Sequence, residues 1–189
     1  MSTLKVDTIL KRTGTGTITV GQSGDTVDLS NPTSITLNST MKNTPAFHAY
    51  LSADQEPSND TITVVQFNTE SFDTDSAYDN STYRFTPQVA GKYFVYVAIQ
   101  HDPSSNNNLK QALVDIRKNG TAISRNFFSS TTNPVDSLVV TTQMEVELNG
   151  SSDYVDAVGL QFASSGTNKF TGNTTQSKTY FGAYRILGA

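Results

Sequence analysis

Polar and apolar residues alternate over one stretch of this chain, and that period of two constrains the fold more than any other feature. One set of positions consists of Val140, Thr142, Met144, Val146 and Leu148. The intervening set consists of Thr141, Gln143, Glu145 and Glu147. Successive side chains of a β-strand point to opposite faces, so the pattern predicts a strand with one buried and one solvated face.

Further strands are predicted at 61–67, 91–100, 154–162 and 179–187, with turn residues between them. The segment 109–116 has apolar spacings that fit either a helix or a strand, and the Asn-Gly pair at 119–120 favours the strand. A second Asn-Gly pair at 149–150 predicts a hairpin that joins 154–162 to the alternating strand. Many short strands separated by turns predict an all-β sandwich or jelly roll.

Composition supports this fold class and excludes several functions. Thr, Ser and Asn, which favour strands, turns and caps, make up a third of the chain. The absence of Cys excludes disulfides, thiolate catalysis and Cys-ligated metals. A net charge of −4 argues against nucleic acid as a partner. No apolar run approaches the roughly 20 residues that span a bilayer, so we expect no membrane insertion.

The N-terminal segment has a different pattern, in which apolar residues occur as pairs two positions apart. The pairs are Ile18/Val20, Val27/Leu29 and Ile35/Leu37. Each pair predicts a very short strand followed by a turn. Such units give a single chain too few apolar side chains to form a core. Three copies wound together would share the apolar stripe, so we predict a trimeric β stem over 1–44 and a head domain over 45–189. The alternative is a disordered polar leader.

Candidate catalytic residues are few. His48 and His101 are the only imidazoles, and neither lies in a metalloprotease or hydrolase motif. We expect His48 on the face of a strand and His101 at the start of a loop. The sequence therefore predicts no catalytic residue, no cofactor and no enzymatic activity.

Two kinds of polar segment are candidate binding sites. Asp73, Asp75 and Asp79 form an oxygen-rich segment that suits calcium, although a solvated acidic loop is the favoured alternative. The polar loops 104–108 and 129–133, aided by exposed Phe127 and Phe128, are candidates for contact with sugars. Plain solvent-facing loops are the alternative there.

A spaced set of residues resembles the signature of complement component 1q-like globular domains. The set is Phe67, Asp73, Tyr78, Phe85, Gly91 and Tyr93. The closing segment with Tyr180 and Gly182 also matches, and the resemblance spans about 46–189. One departure is that Val95 and Val97 stand where the family usually has aromatic residues, while Phe94 and Tyr96 take the opposite parity.

This resemblance implies a ten-stranded jelly roll, shared with tumour-necrosis-factor-like proteins, that assembles as a homotrimer and acts as a binding module rather than an enzyme. In such a trimer we expect Tyr180 and Tyr184 to pack near the threefold axis.

Segments within residues 2–27 resemble the openings of bacteriophage fibre and appendage proteins, notably those of cyanophages. No secretory signal is evident at the N-terminus, so export by the general route is not expected. The resemblance implies a virion location on tail or capsid, with the N-terminal segment attached to other virion proteins and the head binding a host glycan or receptor. A capsid decoration protein and a cellular complement-type ligand-binding module are the alternatives.

Overall fold

The computed structural model describes residues 42–175 and 178–187, which form an antiparallel β-sandwich. Its strands are β1 (Ala46–Tyr50), β2 (Thr63–Val64), β3 (Thr69–Asp73), β4 (Tyr78–Asp79), β5 (Arg84–Phe85), β6 (Gly91–Asp102), β7 (Leu109–Lys118), β8 (Thr121–Ser129), β9 (Leu138–Leu148), β10 (Val155–Ala163), β11 (Lys169–Phe170) and β12 (Tyr180–Arg185). None of these residues belongs to a helix long and apolar enough to cross a membrane. The predicted all-β jelly-roll class is confirmed.

The strands divide into two six-stranded sheets. In sheet A the order across the sheet is β9, β6, β12, β1 and β3, and β11 pairs with β6 beyond the end of β12. In sheet B the order is β4, β5, β10, β7 and β8, and β2 pairs with β10 beside β5. The long strands therefore lie together at one side of each sheet, and the shorter strands complete the other side.

The core lies between the facing sides of the two sheets. The alternation predicted for β9 is confirmed. Val140, Val146 and Leu148 are buried and Thr142 and Met144 partly buried, while all four residues of the opposite parity are exposed, namely Thr141, Gln143, Glu145 and Glu147. Ala98 of β6 is buried on the opposite parity, and the other buried positions of this strand are Tyr93, Val95, Val97, Ile99 and His101. These positions follow the strand period, so burial of one face per strand accounts for the core.

The ambiguous segment is strand β7, as expected, and it forms a hairpin with β8. Lys118 pairs with Thr121 across the two-residue turn Asn119-Gly120. Both turn residues have positive φ, 51° and 80°, which is the conformation that a hairpin turn of this kind requires and that Asn and Gly adopt readily.

Three details of the predicted fold are wrong. Asn149-Gly150 does not close a hairpin, because β9 lies in sheet A and β10 pairs with β7 in sheet B. The Asn149 side chain accepts hydrogen bonds from the N–H groups of residues 151–153, and this wider loop lets the chain cross between sheets. The segment 61–67 contributes only β2. The described residues contain twelve strand segments rather than ten, four of them two residues long.

The predicted stem residues lie outside the described part of the chain. They are Ile18, Val20, Val27, Leu29, Ile35 and Leu37. The division into a 1–44 stem and a 45–189 head therefore stays a prediction.

Candidate interaction face on sheet A

Four of the signature residues meet in the core beneath sheet A. Phe67 and Phe85 are fully buried, and Phe47 stacks on both Tyr78 and Phe85 with ring centroids 4.6 and 4.7 Å apart. Tyr93 completes the cluster by meeting Phe85 edge-on at 5.6 Å. These contacts bury large aromatic surfaces in preferred geometries, so the signature specifies the core of the head.

The two core tyrosines bury their rings and still satisfy their hydroxyls. The Tyr78 hydroxyl donates to the carbonyl of Phe67 at 2.8 Å, and that of Tyr93 donates to the carbonyl of Val89 at 2.6 Å. Burial raises the pKa of Tyr93 to about 12, with Arg185 opposing the shift, and it also raises the pKa of Tyr78. Both phenols are therefore structural hydrogen-bond donors.

The acidic segment supports turns. The carboxylate of Asp73 accepts hydrogen bonds from the backbone N–H groups of Ala77 and Tyr78, at 3.1 and 2.9 Å. Asp79 accepts hydrogen bonds from Ser81 and Thr82, which lower its pKa. No group of three metal-ligating side chains occurs among the residues that the structure describes, so Asp73, Asp75 and Asp79 are not brought together as a calcium site.

Because side chains alternate between the two faces along β6, a second set of aromatic residues lies on the outside of sheet A. Because Tyr93, Val95 and Val97 face the core, Phe94 and Tyr96 face outward. We call this outer surface the aromatic face, and its members are His48, Phe72, Phe94, Tyr96, Tyr180 and Tyr184. They come from β1, β3, β6 and β12, which the sheet order places side by side.

The rings of the aromatic face contact one another in a continuous chain. Phe94 lies 5.5 Å from Tyr184 and 6.3 Å from Tyr96, and Tyr96 lies 6.2 Å from Tyr180, measured between ring centroids. His48 lies 5.4 Å from Tyr180. Phe72 remains 49% exposed and Tyr184 40% exposed. An exposed apolar surface of this kind is characteristic of a protein–protein contact.

Gly182 makes this arrangement possible. It sits in β12 between Tyr180 and Tyr184, and the Tyr96 ring lies directly over it. A Cβ at position 182 would come within 2.3 Å of the Tyr96 hydroxyl oxygen. Tyr180 and Gly182 of the closing segment lie on the aromatic face, whereas Phe181 between them is fully buried.

His48 lies inside the aromatic face, on the face of a strand as predicted. Its Nδ1 is 3.1 Å from the Tyr96 hydroxyl, and its ring also stacks near Phe72 with centroids 6.3 Å apart. Burial lowers the pKa of His48 and raises that of Tyr96. Both shifts favour neutral side chains, so this face is apolar as well as aromatic.

His101 is not at the start of a loop, because β6 continues to Asp102 and holds its ring in the core. The imidazole meets Phe170 edge-on at 5.3 Å and lies beside Gln161. Burial lowers the pKa of His101 to about 3, although the neighbouring Gln161 side chain opposes this shift. Within the described residues neither ring nitrogen has a hydrogen-bond partner. Burial of His101 could not be predicted from the sequence, because the strand was predicted to end at Gln100.

The outside of sheet B is different, because it is built around ion pairs. Arg117 bonds Asp156 through two contacts of 2.8 and 2.6 Å, and Arg125 bonds Asp115 through two of 2.7 Å. Both carboxylates are almost fully buried. Sequence reasoning missed these pairs, since only the strand register shows that each Arg lies directly across from its Asp.

The candidate sugar-contact residues divide between a strand and a loop cluster. Phe127 and Phe128 lie in β8, where Phe127 is 49% exposed and Phe128 packs against the core, so they do not belong to a loop. The loops after β6, β8 and β10 are joined by hydrogen bonds from Asn107 N–H to Asp136 and from Ser164 to Asn108. This cluster forms a polar, preorganised surface.

Comparisons with known proteins agree with this geometry. The model of the C1q domain family matches residues 46–186. Two solved structures are similar: the globular domain of zebrafish complement 1qA protein (19% identity, TM-score 0.50, 75% of this chain and 96% of that chain) and the Eiger TNF of S. frugiperda (17% identity, TM-score 0.52, 76% and 93%). A search of curated proteins gives no match. Since the family model covers most of the chain, the chain belongs to the C1q domain family.

Proposed function

We propose that this chain is a homotrimeric binding protein whose copies associate through the aromatic face. C1q and TNF domains are generally trimeric binding modules without enzymatic activity. The observation that carries the proposal is the cluster of outward rings on sheet A, of which Phe72 and Tyr184 remain largely exposed. A second and a third copy of the chain are the occupants that bury this face.

The chemistry of the face suits burial between copies. The charged residues nearest to the rings, Lys92, Glu70 and Glu145, lie at the edges of the cluster rather than inside it. Full burial of an aromatic side chain contributes roughly 1.5–3 kcal/mol, so covering the parts of these rings that are still exposed contributes on the order of a few kcal/mol per chain. The outside of sheet B offers paired charges instead.

Light scattering of variants that differ in one exposed aromatic tests this assignment. The wild-type chain is expected to have three times the mass of 20.5 kDa. Phe72→Glu, on the aromatic face, places a charge in the interface and is expected to raise the concentration at which the trimer dissociates. Phe127→Glu is the matched control, because Phe127 has the same 49% exposure on sheet B. A monomeric wild type, or a Phe72→Glu chain that dissociates at the same concentration as wild type, would contradict the assignment.

Ligand recognition is proposed for the loop cluster after β6, β8 and β10. Burying sheet A leaves these loops accessible, and their Ser, Thr and Asn side chains suit hydrogen bonds with sugar hydroxyls. We expect the purified trimer to bind glycans or host cells, and replacement of exposed Ser104, Asn106 and Thr131 by Ala to weaken that binding. Equal binding by the variant would place the ligand elsewhere.

The proposed setting is a bacteriophage particle, with the N-terminal segment attached to other virion proteins and the head binding a host surface. This rests on the resemblance of segments within residues 2–27 to fibre and appendage proteins. The same head would also suit a capsid decoration protein or a cellular ligand-binding module. Labelling of intact particles with an antibody against the head tests the setting, and attachment competition by purified head separates the fibre from the decoration role.

A further inference from the structure

His48 is the one titratable group of the aromatic face that changes charge near neutral pH. We propose that protonation of His48 dissociates the trimer, so that the assembly is stable at neutral pH and weakens in mild acid. This inference rests on the proposed trimer and adds a mode of regulation to it.

The position of His48 makes its charge costly in the assembly. The ring lies among Phe72, Tyr96 and Tyr180, at centroid distances of 6.3, 6.0 and 5.4 Å. On one side Gly182 of β12 is its register partner, and on the other side Phe72 of β3 is. A second copy that covers these rings removes water from the imidazole as well. An imidazolium placed there loses solvation without gaining an anion.

The groups that face His48 from the neighbouring strands do not compensate its charge. β12 offers Tyr180 and Tyr184, and β6 offers Tyr96 and the cation Lys92. None of these side chains is a carboxylate. On its own strand β1 the other outward titratable side chain is Tyr50.

The strand β3 carries the acids closest in register, Glu70 and Asp73. Glu70 pairs with Ala49, whose side chain faces the core, and Asp73 pairs with Phe47. The carboxylate of Asp73 is already held by the N–H groups of Ala77 and Tyr78. The net effect on His48 is set by burial, which lowers its pKa in the single chain.

Proton linkage fixes the direction of the pH effect. Assembly lowers the pKa of His48 below its value in the free protomer, so the neutral form is favoured in the trimer. Stability of the trimer is therefore complete above the protomer pKa and is lost as the pH falls through it. With one proton taken up by each of three copies, the association constant falls by up to about 1,000-fold per pH unit in that range.

Dilution series followed by light scattering at pH 7.5 and 5.0 test the proposal. Wild type is compared with His48→Phe, which keeps an aromatic ring, and with His48→Gln, which keeps a polar partner for the Tyr96 hydroxyl. Both variants retain His101, so any effect of that core imidazole is common to all three chains. Circular dichroism at each pH shows whether the protomers remain folded.

We expect the midpoint concentration of the wild-type trimer to rise at least 10-fold from pH 7.5 to 5.0, while the midpoints of both variants change much less. Parallel changes in all three chains would overturn the inference and leave the trimer intact as a proposal. A wild-type monomer at pH 7.5 would overturn the trimer itself, and the inference with it.

Discussion

The two faces of sheet A carry aromatic clusters of similar composition in different environments. On the inner face Phe47 and Tyr93 are fully buried, and both contact the ring of Phe85 from sheet B within one chain. On the outer face, rings such as Phe94 and Tyr184 also contact each other, but solvent still reaches them. Because adjacent residues of β6 enter different clusters, the parity of one strand separates the contacts that fold the chain from those available for assembly.

The largest difference between the clusters is expected in protomer stability. Phe47→Ala removes a buried ring that contacts Tyr78, Phe85 and Phe181, and such truncations cost about 3–5 kcal/mol of unfolding free energy. Phe94→Ala, on the outer face, is expected to cost the protomer about 1 kcal/mol or less, because its ring is only partly buried. Denaturant unfolding under monomeric conditions measures both. Equal losses of unfolding free energy in the two variants would contradict the distinction between the inner and outer faces.

The next effect concerns the pH dependence of protomer stability, which is expected to come from His101 in the core rather than from His48 on the aromatic face. The pKa of His101 is about 3 in the folded chain against 6.5 in the unfolded chain, so the folded state resists protonation. Its stability contribution is complete above pH 6.5 and is lost as the pH falls, at roughly 1.4 kcal/mol per pH unit.

Unfolding free energies of the protomer at pH 6.5 and 4.5 are therefore expected to differ by about 2 kcal/mol. His101→Gln removes the titrating group and is expected to flatten this dependence. His48→Gln, on the outer face, is the control that leaves it nearly unchanged. An equally steep loss in the His101→Gln chain would assign the acid sensitivity to other groups.

A smaller loss of stability is expected from substitution of Gly182, where the Tyr96 ring of the outer cluster lies against the backbone. In Gly182→Ala the new Cβ overlaps the Tyr96 ring, and overpacking of this kind costs about 1–3 kcal/mol. Displacement of Tyr96 is also expected to weaken association. A double-mutant cycle isolates the cause, since Gly182→Ala is expected to cost less than half as much in a Tyr96→Ala background. An unchanged cost there would point to the strand backbone rather than the ring.

Much of the inner cluster could be predicted from the sequence, because it depends on local periodicity and on the spacing of the signature. Alternation identified β9 and β6, and the Asn119-Gly120 pair identified the hairpin between β7 and β8. The spacing that includes Phe67, Phe85 and Tyr93 identified residues that meet in three dimensions. The alternation and the turn are each contained within about a dozen neighbouring residues, and the signature spacing from Phe67 to Tyr93 within 27.

The sequence was less informative where long-range register decides the outcome. The Asn149-Gly150 pair resembles a hairpin signal, yet the Asn149 side chain accepts backbone hydrogen bonds that hold a wider loop, and the chain crosses to the other sheet. The pairing of Arg125 with Asp115 depends on the register between β7 and β8. The aromatic face likewise combines four strands that are distant in sequence, so the outward parity of Phe94 and Tyr96 became meaningful only once β12 and β1 lay beside them.

A single-tryptophan reporter tests most directly whether the aromatic face is the surface buried between copies. The chain contains no Trp, so Tyr184→Trp and Phe127→Trp each introduce one emitting indole, on sheet A and sheet B respectively. In the assembled protein we expect the indole at 184 to emit at shorter wavelength and to resist acrylamide quenching, and to lose both properties on dilution. The indole at 127 is expected to stay quenchable throughout. Equal quenching at both positions at every concentration would contradict the account.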